Sequence, residues 1–194
     1  MLEESRLIVQ GGEWVISQVC KQIATWKDRG LPVVPVSVNL SPVQFSLPGL
    51  LDRVAQIVSD RAIDPSLLVF KITESTVMRD AEYTKEVLST LKARGFDISI
   101  DDFGTGYSSL SYLKSFPIDN LKIDQSFVKT LSEDPEDAIL VETMVTMAHH
   151  LNLKVIAEGV ESGAHLENFV NSVATWLKGT FAGNRHRPSR PKPS

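Results

Sequence analysis

Cysteine is nearly absent from this chain of 194 residues: Cys20 stands alone, so no disulfide can form within it. Its neighbours belong to an apolar helical pattern, which points to a plain buried thiol and suits a reducing, cytoplasmic setting. Apolar runs of the roughly 18 residues that a membrane helix needs are also missing. The start, Met1-Leu2-Glu3-Glu4-Ser5-Arg6, is acidic where a signal peptide is basic and then apolar, so neither a membrane segment nor a secretory leader is expected. Strong charge of one sign is lacking too. Against 20 Lys and Arg stand 24 Asp and Glu, a formal −4, which gives no electrostatic ground for a nucleic-acid or membrane-surface partner. What is present, 42% hydrophobic and 23% charged residues, is the composition of one soluble globular domain.

Short β-rich runs alternate with longer helical patterns. Strands are predicted at Val36–Leu40, Leu68–Thr73, Asp97–Asp101, Asn120–Ile123 and Lys154–Ala157, and their near-continuous apolar character is that of parallel strands buried on both faces. Helices are predicted at Glu13–Arg29, Gly49–Asp60, Ala81–Ala93, Ser108–Lys114, Pro135–His150 and Gly163–Leu177. In the fifth, Leu140, Met144, Met147, Ala148 and Leu151 recur at three- and four-residue intervals, which makes both methionines core residues rather than cofactor contacts. His149 and His150 read as surface or helix-end residues. Strand–helix alternation leads to a doubly wound sheet or to a (β/α) barrel. The polar residues favour the barrel, because Asn39, Lys71, Glu74, Asp101, Asp102, Lys122, Asp124 and Glu158 fall at or just after successive strand ends. An open sheet confines its ligand site to one switch point. Five strands are fewer than a complete eight-stranded barrel has, so the α/β fold expected is an incomplete, TIM-like one.

Two adjacent aspartates at a buried strand end raise one another's pKa unless cations intervene. Asn39, Asp101, Asp102 and Glu158 make an oxygen-rich set suited to Mg²⁺ or Mn²⁺ rather than zinc, with no His or Cys among them. Two such ions activate a water and stabilise the leaving oxygen in an in-line attack on phosphorus, and Lys122 adds a fixed cation. The bland alternative is a turn in which an aspartate caps the backbone before Gly104. Gly104-Thr105-Gly106-Tyr107-Ser108-Ser109 reads as a flexible loop over the site. Its lone GxG lacks the third glycine and the acidic ribose ligand of a dinucleotide fingerprint.

Five segments together resemble the motifs of the EAL domain family. They are Val36-Ser37-Val38-Asn39-Leu40-Ser41, Ile72-Thr73-Glu74-Ser75, Ile100-Asp101-Asp102-Phe103-Gly104-Thr105-Gly106-Tyr107-Ser108-Ser109-Leu110, Leu121-Lys122-Ile123-Asp124 and Val155-Ile156-Ala157-Glu158-Gly159-Val160-Glu161. The resemblance runs in order from Leu2 to about Val170. It implies a modified TIM barrel that hydrolyses cyclic di-GMP to linear pGpG with Mg²⁺ or Mn²⁺. It further implies Asn39, Asp101, Asp102 and Glu158 as metal ligands, and Lys122 and Asp124 as groups that position the attacking water and the phosphate. Glu74 would hold the loop after Asp102. Asn39 and Gly104, Thr105 and Gly106 of that loop would meet the ligand.

Three departures from the family pattern fall on its chemistry. The chain starts where family members have completed two strands, so the Glu-Ala-Leu signature and its metal-binding glutamate are not in it, and an open barrel edge is expected that suits a homo-oligomer. At the second strand the family's Glu-x-Thr-Glu reads Lys71-Ile72-Thr73-Glu74, an ammonium where a metal ligand belongs. Lys71 is expected to pair with Asp101 or Asp102, or else to point outward. Third, Val173–Phe181 does not align with the family's last strand, although codons for it exist whose shifted frame encodes Cys-Asp-Leu-Val-Lys-Gly-Tyr-Phe. Residues 1–172 are therefore expected to be a partial EAL domain lacking its first strands and its last. Residues 173–194 are expected to be a frameshifted, disordered basic tail. The expectation for function is an inactive member of a phosphodiesterase family. The rival readings are a cyclic di-GMP receptor and a protein-interaction module.

Overall fold

The computed structural model describes residues 2–106, 110–131, 134–161, 163, 166–167 and 169–170, with no side-chain account of residues 2–6. Tyr107, Ser108 and Ser109, most of the helix predicted over Gly163–Leu177 and the whole 173–194 tail lie outside the described residues. Helix α1 (Leu2–Asp28) precedes strand β1 (Val36–Asn39), and α2 (Pro42–Phe45) and α3 (Leu50–Ser59) lead through a 3₁₀ turn at Pro65–Leu67 to β2 (Leu68–Thr73). After α4 (Glu74–Val77) and α5 (Ala81–Ala93) comes β3 (Asp97–Phe103), then α6 (Leu110–Ser115) and β4 (Asn120–Ile123). Helices α7 (Gln125–Thr130) and α8 (Pro135–His150) lead to β5 (Lys154–Ala157).

The five strands are parallel and lie side by side in chain order, β1-β2-β3-β4-β5. A doubly wound sheet reverses direction at its switch point, whereas this one advances in one sense throughout, as the wall of a (β/α) barrel does. The described strands thus form a partial TIM-like barrel.

The central strands are buried on both faces as expected, β4 throughout and most of β2 and β3, but they are not apolar on both. Val38, Phe70, Ile98, Ile100 and Leu121 share one face through the register Val38↔Phe70↔Ile98 and Ile100↔Leu121, and all belong to the core beneath the helices. The opposite face carries Asn39, Lys71, Ser99, Asp101, Asn120 and Lys122. The period-two alternation of a strand is therefore intact, and short polar residues between large aliphatic ones disguised it in the sequence. The Phe70 and Phe96 rings meet edge to face at 5.2 Å, and Leu68, Ile72 and Leu88 are fully buried around them. Truncating any one of these side chains to Ala costs about 2–5 kcal/mol.

Local chemistry sets the helix ends. Ser41 and Gln44 form a reciprocal capping box on α2, and Asp80 and Asp134 accept from Tyr83 N and Glu136 N at the starts of α5 and α8. Helix α1 begins well before the predicted Glu13, because Gly11-Gly12 does not break it. At Gly12 a side chain would collide with Gln44, whose Nε2 reaches past to donate to Ile8 O at 3.1 Å. In α8 the buried line is Val141, Val145 and Ala148, with Met144, Met147 and Leu151 packed beside it. Leu140, predicted inside, is 46% exposed, so the apolar stripe sits one residue further round than its spacing suggested. Cys20 is wholly buried, and that burial pushes its thiol pKa up. Among the described residues no helix is long and apolar enough to cross a membrane.

Candidate functional site

A bulge explains how neighbouring aspartates reach one site. Ile100 pairs with Leu121 and Phe103 with Ile123, so three steps on β3 oppose two on β4. Asp102 takes up the extra residue with φ 54°, in the left-handed region that Asp tolerates better than most side chains. The bulge lets Phe103 return to the core while Asp101 and Asp102 both stay on the polar side. Carboxylate oxygens of Asp101, Asp102 and Glu158 lie within 4.8 Å of one another. Glu158 follows β5 directly, and its backbone N–H donates to Ile123 O.

Two lysines close this cluster. Lys71 Nζ lies 2.8 Å from Asp101 Oδ2 and 3.9 Å from Glu158 Oε1. Lys122 Nζ donates to Asp101 Oδ1 at 2.8 Å and also to Glu158 Oε1. Each oxygen of Asp101 thus faces its own ammonium. Burial alone would raise the Asp101 pKa, but Lys122 and then Lys71 outweigh it and hold the carboxyl below its ordinary value. Asp102 moves the other way, pushed up by burial and then by the negative charges of Asp101 and Asp124. Burial depresses Lys122, with Asp101 opposing it and Lys71 adding to it; for Lys71 burial is outweighed by Asp101, and its pKa is raised.

The loop after Asp102 is anchored from below. Glu74, 2% exposed at the start of α4, accepts the Gly104 N–H at 2.9 Å through Oε2. Gly104 has φ 100°, and a Cβ there would lie 2.5 Å from Met144 Cε and 2.8 Å from Phe127 Cε2. At Gly106 a Cβ would sit 2.8 Å from Glu74 Oε1. Thr105 Oγ1 donates back to Asp102 O at 2.8 Å, tying the loop to the bulge.

The structure therefore gathers Lys71, Asp101, Asp102, Lys122 and Glu158 and sets the loop Gly104, Thr105 and Gly106 on Glu74. Asn39 lies on β1 in register with Lys71, exposed, on the same polar face. Asp124 is placed as the cap of α7, its Oδ1 accepting from Ser126 N at 2.8 Å and Oγ at 2.5 Å. Sequence reasoning missed two polar residues of this face, Ser99 and Asn120, which are 1% and 9% exposed. They stand two positions before Asp101 and Lys122, so strand parity was the signal that finds them. Ser99 Oγ has no hydrogen-bond partner among the described residues.

For a divalent cation the donors fit in kind, since three carboxylates within 4.8 Å are the oxygen ligands that hard ions take. They do not fit as arranged, because Lys71 and Lys122 engage both oxygens of Asp101 and the nearer oxygen of Glu158.

Known proteins resemble this chain in sequence and in fold. The EAL domain family profile matches residues 1–184. The bifunctional diguanylate cyclase/cyclic di-GMP phosphodiesterase MucR of Pseudomonas aeruginosa is 44% identical over 183 residues, 94% of this chain and 27% of that protein. The cyclic di-GMP phosphodiesterase PdeR of Escherichia coli is 41% identical over 160 residues, 82% of this chain and 24% of that protein. The chain spans about a quarter of the length of these relatives. Among solved structures, the PaMucR phosphodiesterase in complex with c-di-GMP aligns with a TM-score of 0.83 at 46% identity, over 88% of this chain and 69% of that one. The EAL domain of Mycobacterium smegmatis DcpA aligns with a TM-score of 0.76 at 37% identity, over 83% and 73%. With the profile match, the sheet order and the motif residues in agreement, this chain belongs to the EAL domain family.

Proposed function

We propose that this chain, taken by itself, does not hydrolyse cyclic di-GMP although it carries the fold of cyclic di-GMP phosphodiesterases. The observation behind the reading is Lys71, whose ammonium stands 2.8 Å from Asp101 Oδ2 at the strand end where the family places a carboxylate. In-line hydrolysis of a phosphodiester needs something that lowers the pKa of the attacking water and something that takes up charge on the leaving oxygen. An ammonium donates hydrogen bonds but has no vacant coordination site, so it cannot ligate a water and lower its pKa as a metal ion does. Asp101, held ionised between two lysines, is a poor proton acceptor for the same electrostatic reason.

The test is chromatographic. Purified chain incubated with cyclic di-GMP and either Mg²⁺ or Mn²⁺ is expected to yield no pGpG above the protein-free control. Linear product released over many turnovers would overturn the reading.

A second reading, a receptor that binds cyclic di-GMP without cleaving it, has its own support. Glu74 accepts the Gly104 N–H beneath the loop, and Lys122 stays fixed among the carboxylates. The MucR phosphodiesterase, 46% identical, has been solved with c-di-GMP bound. Calorimetric titration with cyclic di-GMP separates a receptor from a chain that has lost both cleavage and binding.

A further inference from the structure

We propose that Lys71 is a built-in cation that makes ligand binding independent of divalent metal, its Nζ donating directly to a phosphodiester oxygen of a cyclic dinucleotide. The proposal rests on the receptor reading above and adds to it the group that takes the phosphate.

Charge carries the argument. In the cluster as folded, the three carboxylates of Asp101, Asp102 and Glu158 face the two ammonium groups of Lys71 and Lys122. A carboxylate at position 71 would leave four negative groups around one lysine, a cluster that repels a phosphodiester until metal ions neutralise it. With Lys71 in place the excess of negative charge in the cluster falls from three to one, and the added positive charge sits on the ammonium proposed to meet the phosphate.

Geometry supplies the donor. An ammonium has three N–H groups, and Asp101 Oδ2 is the carboxylate oxygen in ion-pair contact with Lys71 Nζ at 2.8 Å, while Glu158 Oε1 stands off at 3.9 Å. The Lys71 side chain is 19% exposed and lies on the polar face in register with exposed Asn39. Asp101 fixes that head in position, which lowers the ordering cost of a contact made by a long flexible side chain.

The experiment is isothermal titration of cyclic di-GMP into the whole chain, once in EDTA and once in excess Mn²⁺, with wild type, Lys71→Met, Lys71→Arg and Lys71→Glu. Wild type is expected to bind equally in both buffers. Lys71→Met is expected to bind about tenfold to a hundredfold more weakly in EDTA, the loss of one charge-assisted hydrogen bond. Lys71→Arg is expected to restore most of that loss, and Lys71→Glu to bind only with Mn²⁺. Circular dichroism of each variant checks that it is folded, and the arginine variant decides the matter should the other two unfold. If wild type binds only with Mn²⁺, or Lys71→Met matches it in EDTA, the proposal is overturned while the receptor reading stands. No binding by wild type in either buffer overturns both.

Discussion

Lys71 on β2 and Asp101 on β3 are joined across adjacent strands by a 2.8 Å contact between Nζ and Oδ2. The register places Thr73, two residues beyond Lys71, opposite Asp101, so the lysine reaches forward along the polar face to meet it. With Lys122 on the other oxygen, Asp101 becomes the centre of a charge network that holds three strands together at the open end of the sheet.

Removing that centre leaves two lysines facing each other with Glu158 as the counter-charge still in contact with both. Asp101→Asn is expected to destabilise the fold on the order of 3 kcal/mol, the usual cost of breaking a buried ion pair from one side. Urea denaturation followed by tryptophan fluorescence measures it. A midpoint unchanged from wild type would show that the network contributes nothing to stability.

Asp102 is expected to respond in the opposite sense. Its pKa is raised by burial and by Asp101 and Asp124, so its ionised form costs stability. That cost is fully present above the raised folded value and is relieved as pH falls through it toward the unfolded value of 3.8. Asp101, with a lowered pKa, contributes stability that is present above 3.8 and lost as pH falls through its folded value. Asp102→Asn, which also suits the φ of 54°, is therefore expected to melt higher than wild type at neutral pH, with the gap closing below about pH 4. Melting curves across that range check the sign, and a gap that stays constant with pH contradicts it.

Glu74 is expected to control the loop rather than the chemistry. Glu74→Ala removes the acceptor of the Gly104 N–H, and hydrogen exchange at Gly104 and Thr105 is expected to speed up about tenfold, equivalent to roughly 1.4 kcal/mol of local opening. Exchange rates equal to wild type would mean that the loop is held by other contacts.

Gly104 tests the packing under the same loop. Its φ of 100° and the closeness of Met144 Cε and Phe127 Cε2 leave no room for a methyl group. Gly104→Ala is expected to destabilise the fold by about 2 kcal/mol, from left-handed strain and overpacking together. Pairing it with Met144→Ala is expected to recover part of that loss, and a double-mutant cycle showing no coupling would refute the contact.

Much of this was legible in the sequence because strands and site share one signal. The bounds of β2, β4 and β5 coincide with the predicted ones, since short apolar runs bracketed by turn residues define them. Strand β3 runs two residues past its predicted end, because the bulge at Asp102 lets pairing resume at Phe103, and no sequence pattern marks a left-handed aspartate. Helices α2, α4 and α7 went unpredicted since each is about one or two turns, too short for an apolar period to show. At the site, charge alone suggested that Lys71 would meet an aspartate. Choosing Asp101 over Asp102, and engaging Glu158 as well, depended on register and on the bulge. Asp124 shows the reverse case, where a residue with a site role in the resemblance is found capping α7 through Ser126.

The account turns on whether Lys71 keeps divalent metal out of the cluster. The most direct measurement is Mn²⁺ binding by electron paramagnetic resonance on wild type and Lys71→Glu at matched protein concentration. Wild type is expected to leave Mn²⁺ free in solution at concentrations where Lys71→Glu holds it. Tight Mn²⁺ binding by wild type that is lost on Asp101→Asn would contradict the account.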